Sequence, residues 1–311
     1  MRHLFFIISC LFISLVSAQN YTARDLKVTP LVEGTLLTPS EKETPPLAII
    51  IGGSGPTDRD GNQMMMKNNA LKLLAQSLSN DGIATFRYDK RIVKMMQDRT
   101  NFSEKDFKFD DFIEDATAVI DYFSKSNDFS NIYVIGHSQG SLVGMAAIST
   151  RDDVAGFISI AGPGQSIDKV IIDQLGNQAP GLKENAIQAF NDIRLTGKSE
   201  NYSPGLASIF RADIQPFIAS WMQFDPQELI SGLEIPVFII NGTQDIQVDE
   251  AEAKMLQNAN KDAQMLLIEN MNHIFRIITE PGMDNQKSYN EPSRPIAPQL
   301  PTSISSFITK M

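Results

Sequence analysis

The chain has 311 residues, 42% of them hydrophobic, with 27 Lys+Arg against 37 Asp+Glu, three histidines and a single cysteine. One cysteine closes no intrachain disulfide, and one Cys with three His cannot furnish the thiol-rich set of a structural zinc site, so disulfide scaffolds and zinc-finger modules are excluded. The net charge of −10 has the wrong sign for neutralising phosphates and no local basic patch offsets it, so no nucleic-acid partner is expected.

Residues 1–18 read as an export signal. Arg2 and His3 give a short positive start, Leu4 to Val16 is mostly apolar, and Val16-Ser17-Ala18 offers a small-x-small cleavage site. The apolar run falls short of the roughly 20 residues that a spanning helix needs. The expectation is therefore a chain cleaved near Ala18, exported to the periplasm or secreted, with no stable membrane insertion afterwards. Cleavage removes His3 and Cys10, leaving no thiol and only His137 and His273 as imidazoles.

Residues 19–311 alternate short β-rich runs with helix-length amphipathic segments, which predicts an α/β domain with a mostly parallel sheet covered by helices on both faces. The expected strands are 47–51, 83–87, 131–135, 154–160, 235–240 and 265–268. The expected helices are 69–78, 112–123, 141–148, 250–257 and 302–310. Between about 162 and 233 no strand is expected. Helical spacing appears instead at 167–175, 183–193 and 214–224, interrupted by Pro180, Pro204, Pro216 and Pro226. An insertion of this size reads as a helical cap over one edge of the sheet.

The strongest chemical signal is Gly136-His137-Ser138-Gln139-Gly140, a G-x-S-x-G set between a strand and a helix. Glycines on both sides permit the sharp turn that such a serine needs, and the helix N-terminus behind it favours developing negative charge. A serine hydroxyl needs a base to become a nucleophile at neutral pH. His137 adjoins the serine, and on an extended-to-turn backbone its side chain projects away from the hydroxyl. His273, in Asn272-His273 just past the last expected strand, remains as the base. The base in turn needs an acid to fix its tautomer; Asp245 follows the strand at 235–240, with Asp249 as its competitor four residues on. An oxyanion site would combine the Gln139 N–H with one from Gly52-Gly53-Ser54-Gly55-Pro56, Ser54 being favoured over Gly53.

These segments, together with Gly53 to Asn62, Arg87-Tyr88-Asp89-Lys90-Arg91 and Asn241 to Val248, resemble the exported bacterial α/β-hydrolases of the serine-aminopeptidase-like (S33-type) and EstD-like esterase group. The order Ser138, Asp245, His273 is the one expected of that fold. The resemblance implies carboxylic-ester hydrolysis more often than peptide hydrolysis. Two departures stand out. Where many relatives continue Asp-Lys-Arg with Gly-x-Gly, this chain has Ile92 to Met96, and the position before Gly53 is Gly52 rather than histidine. Asp58-Arg59-Asp60 is expected to form an ion-pair network shaping the oxyanion loop. Met64 to Met66, Met95-Met96 and Trp221 either line an acyl pocket or pack in the core and cap. Asn20, Asn101, Asn201 and Asn241 each open an N-x-[ST] triplet, of which Asn241 is the poorest acceptor.

The expected function is a serine esterase working on a small-molecule ester or acyl substrate through an acyl-enzyme, with no metal or organic cofactor required. An aminopeptidase or acyltransferase on the same triad is the alternative, with Glu184, Asp192 and Asp225 available to hold a substrate ammonium. A silent binding protein on this fold is the reading from a different class.

Overall fold

The computed structural model describes residues 20–97, 103–280 and 282–310. The expected export signal lies outside the described residues, as does Asn101. Two strands precede the expected pattern: β1 (Tyr21–Lys27) and β2 (Glu33–Pro39) pair antiparallel. Next come β3 (Leu47–Ile51), α1 (Ala70–Asn80), β4 (Ala84–Tyr88), α2 (Arg91–Gln97), α3 (Asp110–Ser124), β5 (Ile132–His137), α4 (Gln139–Ile148) and β6 (Gly156–Ile160). The stretch before the next strand is helical: α5 (Ile167–Gln178), α6 (Pro180–Thr196), α7 (Ala207–Phe210), α8 (Gln215–Trp221) and α9 (Pro226–Ser231). The chain then returns through β7 (Val237–Gly242), α10 (Glu250–Ala259), β8 (Gln264–Ile268), α11 (Met283–Ser288) and α12 (Gln299–Thr309).

All eight strands join one sheet in the order β1-β2-β4-β3-β5-β6-β7-β8, parallel from β4 through β8. Its central strands are buried on both faces. Leu47, Ile49 and Ile51 of β3 pack with α3, α4 and the helical stretch, while Ala48 and Ile50 pack with α1 and α12. This two-sided burial is why the central strands read as continuous apolar runs rather than as alternating ones. Among the described residues no helix is long and apolar enough to cross a membrane.

In α5–α9 the prolines start helices rather than break them. Pro180 opens α6, Pro216 stands in the first turn of α8 and Pro226 opens α9, where a missing N–H costs no helical bond. Aromatic rings tie these helices to the body of the protein. Phe109 stacks on Trp221 with ring centroids 5.3 Å apart, Phe107 on Phe217 at 5.5 Å, and the Phe109 N–H donates to Ser220 Oγ at 2.8 Å.

The strand order positions the site. From β3 the chain steps one way to β4, then crosses back to put β5 on the other side of β3. The loops leaving β3 and β5 therefore diverge, opening a crevice at their carboxyl ends. Gly53-Ser54 and Ser138 flank it.

Candidate active site

Ser138 sits between β5 and α4 with φ 55° and ψ −124°, a left-handed backbone that a serine adopts only under constraint. Its flanking glycines meet backbone at close range. A side chain at 136 would collide with the Gly140 carbonyl oxygen and Ser141 Cα, and one at 140 with the carbonyl oxygens of Ile51 and Gly52. Gly140 thus lets α4 close onto the end of β3, which brings the Gly53–Ser54 peptide to the serine. At Gly53 an added Cβ would stand 3.2 Å from Ser138 Cβ.

His273 and Asp245 are brought together from two loops. His273 Nδ1 lies 2.7 Å from Asp245 Oδ2, and the Asp245 side chain is completely buried. Asp245 Oδ1 accepts the backbone N–H groups of Gln247 at 2.8 Å and Val248 at 3.0 Å, so both carboxylate oxygens are used. Asp249 does other work: its exposed carboxylate accepts the Ala251 N–H at 2.8 Å and caps α10. The His273 loop is held by Asn272, whose Oδ1 accepts the N–H groups of Ile274 and Arg276 and whose Nδ2 donates to Asn285 and Ser288 on α11. Gly242, at the end of β7, admits the Met271 carbonyl where a side chain would collide with it.

The imidazole nitrogen left over is His273 Nε2. Among the described residues Ser138 Oγ makes no hydrogen bond, and such contacts commonly tighten only once substrate is bound. His137 also stands at the site. Its ring turns toward His273, with centroids 4.8 Å apart, and lines the same cavity as Ser138. Its Nε2 lies 2.9 Å from the His273 carbonyl oxygen and so carries the proton it donates there. Burial, reinforced by the neighbouring His273, lowers its pKa to about 3, so His137 stays neutral and braces the His273 backbone.

The Asp58-Arg59-Asp60 segment binds the β3 loop to the end of β4. Arg59 forms a two-pronged pair with Asp89 at 2.6 and 3.0 Å, Asp60 receives Arg87 at 2.9 Å, and Asp58 accepts the N–H groups of Asp60 and Asn62. Arg91 pairs with Asp111 and Asp115 of α3. Residues 92–96 form most of α2.

Two cavities meet at the Ser54-Gly55 segment. The first, about 330 Å³, is lined by Ser138, His273, His137, Gln63, Gln247 and Tyr289 among others. The second, about 280 Å³, is walled by Phe107, Phe112, Phe217, Trp221 and Ile92, with Gln139 at its inner end. Trp221 therefore does both jobs foreseen for it, packing against Phe109 and lining a cavity. Of the methionines, Met66 lines the first cavity, whereas Met64, Met65 and Met96 are exposed. Asn241 is fully buried.

The model of the serine aminopeptidase S33 family matches residues 64–201, a span that contains Ser138. Esterase EstD of Thermotoga maritima is 27% identical over 269 residues, which are 84% of this chain and 61% of that protein. The chain thus spans about three fifths of the length of the curated relative it matches. Among solved structures, Est1E from Butyrivibrio proteoclasticus superposes with a TM-score of 0.61 at 18% identity, covering 93% of this chain and 98% of that one. The acylaminoacyl peptidase of Pyrococcus horikoshii superposes with 0.56 at 12% identity, covering 93% and 42%. The chain has the α/β-hydrolase fold. As in the expected arrangement of an α/β-hydrolase, the candidate nucleophile, acid and base all stand at the carboxyl ends of β5, β7 and β8.

Sequence reasoning missed two groups at the site. The Phe107, Phe112 and Phe217 walls come from separate segments with no shared spacing. Lys90 is buried against Gly53 and Gln139, yet a single lysine in Arg87 to Arg91 carries no pattern that marks it.

Proposed function

We propose that the chain is an exported serine esterase in which Ser138 is the nucleophile, His273 the general base and acid, and Asp245 the residue that orients and stabilises the imidazolium. The observation that carries this reading is the buried His273–Asp245 pair at 2.7 Å, facing the same cavity as a serine held in a strained strand-to-helix turn. Asp245 takes the Nδ1 proton, so Nε2 is the nitrogen that accepts a proton from Ser138 Oγ as it attacks the ester carbonyl carbon. The N–H groups of Gln139 and Ser54 hold the resulting oxyanion. His273 returns the proton to the leaving alkoxide, and water activated by the same nitrogen then releases the acid and frees Ser138.

On this reading, proton return assigns each cavity its part of the substrate. The leaving oxygen must lie within reach of His273, so the alcohol portion occupies the first cavity, beside Gln247 and Tyr289. The acyl portion then points into the aromatic second cavity, which favours a flat, apolar acyl group. An ester fits this site better than an amino-terminal peptide. Among the described residues Glu184 is exposed, Asp192 is engaged by Gln188 and Ser199, and Asp225 caps α9; none of the three lines either cavity. Glu104, which does line the aromatic cavity, is held by both of its oxygens on Arg211 at 2.6 Å.

The test uses p-nitrophenyl and benzyl esters with acyl groups from acetyl to cinnamoyl, beside amino-acyl arylamides, on the protein and on Ser138→Ala. Ester turnover should depend on Ser138, and a fluorophosphonate probe should label that residue alone. Labelling elsewhere, or full activity in Ser138→Ala, would sink the reading.

A further inference from the structure

Lys90 is a cation buried beside the reacting centre, and the proposed triad chemistry leaves it without a role. Its side chain is only 5% exposed. Its Nζ donates to the Gly53 carbonyl oxygen at 2.9 Å and to Gln139 Oε1 at 2.6 Å, and lies 3.9 Å from the centroid of the Phe112 ring. These contacts use the three N–H directions of an ammonium on two oxygens and one π-face.

The identity of the two oxygens is what matters. The Gly53 carbonyl belongs to the same trans peptide as the Ser54 N–H, and in a trans peptide these groups point in opposite directions. Holding the carbonyl on Lys90 therefore turns the Ser54 N–H away from the ammonium, in a peptide that runs beside the nucleophile, since an added Cβ on Gly53 would stand 3.2 Å from Ser138 Cβ. Gln139 supplies the other N–H, at the free first turn of α4, and the same ammonium grips its side chain. A cation hydrogen-bonded to a carbonyl also polarises that peptide, so its N–H becomes a stronger donor to a developing oxyanion.

We propose that Lys90 is the positioning residue of the oxyanion site, its ammonium locking the Gly53–Ser54 peptide to Gln139 so that both backbone N–H groups face the reacting carbonyl oxygen. This inference rests on the esterase reading above. The charged form does the work, because a neutral amine can hold the two oxygens only by giving up its contact with Phe112, and it carries no charge to polarise the peptide. Burial pushes the Lys90 pKa down to about 7, against the pull of Asp115. The other charged and titratable groups around it are Tyr88 and Arg91 on its own segment, Asp111 on α3, Glu104 with Arg211 beyond Phe112, and His137 behind Gly53. Burial takes Tyr88 far above the usual phenol range and His137 to about 3, so neither titrates between pH 6 and 10.

The experiment compares wild type with Lys90→Met and Lys90→Arg. It measures kcat and KM on a short p-nitrophenyl ester from pH 5 to 10, melting temperature, and fluorophosphonate labelling of Ser138. Wild-type kcat should descend above pH 7 as the ammonium loses its proton. Lys90→Met should lose about 100-fold in kcat, the scale of one oxyanion donor, with KM changed less than about threefold and no alkaline descent. Lys90→Arg should recover part of kcat and keep it level to pH 10, since a guanidinium stays charged there. A folded Lys90→Met with wild-type kcat would overturn the inference, as would an alkaline descent that persists in it. If Lys90→Met does not fold, a wild-type kcat level from pH 7 to 10 overturns the inference, and a descent that Lys90→Arg abolishes supports it. Absence of Ser138 labelling in wild type sinks the esterase reading itself, whereas labelled Ser138 with an indifferent Lys90 sinks only this inference.

Discussion

The two cavities that meet at Ser54-Gly55 are of similar volume and differently walled. One is the more polar, setting His273, Gln247, Tyr289 and Gln63 among Met66, Leu71 and Ile274; the other is a box of three phenylalanines and a tryptophan. The polar one is built almost wholly from loops at the carboxyl ends of sheet strands, which the core holds rigidly. The aromatic one is built half from the body, through Phe107 and Phe112, and half from α8, through Phe217 and Trp221. Proton transfer needs fixed distances, whereas acyl selection needs shape. The proposed division of labour rests on what each set of walls is made of.

The largest effect expected on this comparison is on the polar side. Ser138→Ala should lower kcat on the order of 10⁶-fold with little change in melting temperature, read by ester turnover under saturating substrate. Next, Asp245→Asn should cost about 10⁴-fold, because an amide cannot hold His273 in the tautomer that leaves Nε2 free. Asp249→Asn should leave turnover unchanged, and equal losses in the two variants would break the assignment.

On the aromatic side, Trp221→Ala should raise KM for aryl-acyl esters about 10-fold or more while acetyl esters change little, the scale of one apolar pocket contact. If it instead altered the preference for the alcohol group, the two cavities would have been assigned the wrong way round. A smaller effect concerns stability. His137 is neutral when folded, with a pKa of about 3, but takes up a proton below about 6.5 when unfolded. Between those values the unfolded state binds more protons, so acidification should cost up to about 1.4 kcal/mol per pH unit from this group. Denaturant titrations of wild type and His137→Phe should differ in their slope with pH from 6 to 4, and parallel slopes would remove His137 from the account.

The parallel half of the fold was legible because burial on both faces leaves mostly apolar residues in β3 to β7, and glycine pairs mark where backbones touch. β1 was not, because most of Tyr21–Lys27 is exposed and the strand carries arginine, aspartate and lysine; its pairing with β2 comes from tertiary contact rather than from pattern. α2 has no buried residue and α11, Met-Asp-Asn-Gln-Lys-Ser, reads as a polar loop, yet α11 braces Asn272 through Asn285 and Ser288. Among the candidate catalytic residues, counting histidines left one base, and the structure sets that residue against Asp245 rather than Asp249. The aromatic walls and Lys90 were not legible, since their meaning lies in which distant segments touch.

Arg59 reaches not only Asp89 but also Asp25 of β1 and Glu33 of β2, while Asp60 holds Arg87 of β4. The loop from Gly53 to Asn62 is thus moored to three strands at the antiparallel edge. A chimera that imports residues 53–62 from a relative without the matching 87–91 segment would strand half-buried charges on both sides of the graft. For anyone seeking to re-engineer this site, the two segments are a single exchangeable cassette, and the edge ribbon is the dock on which it must land.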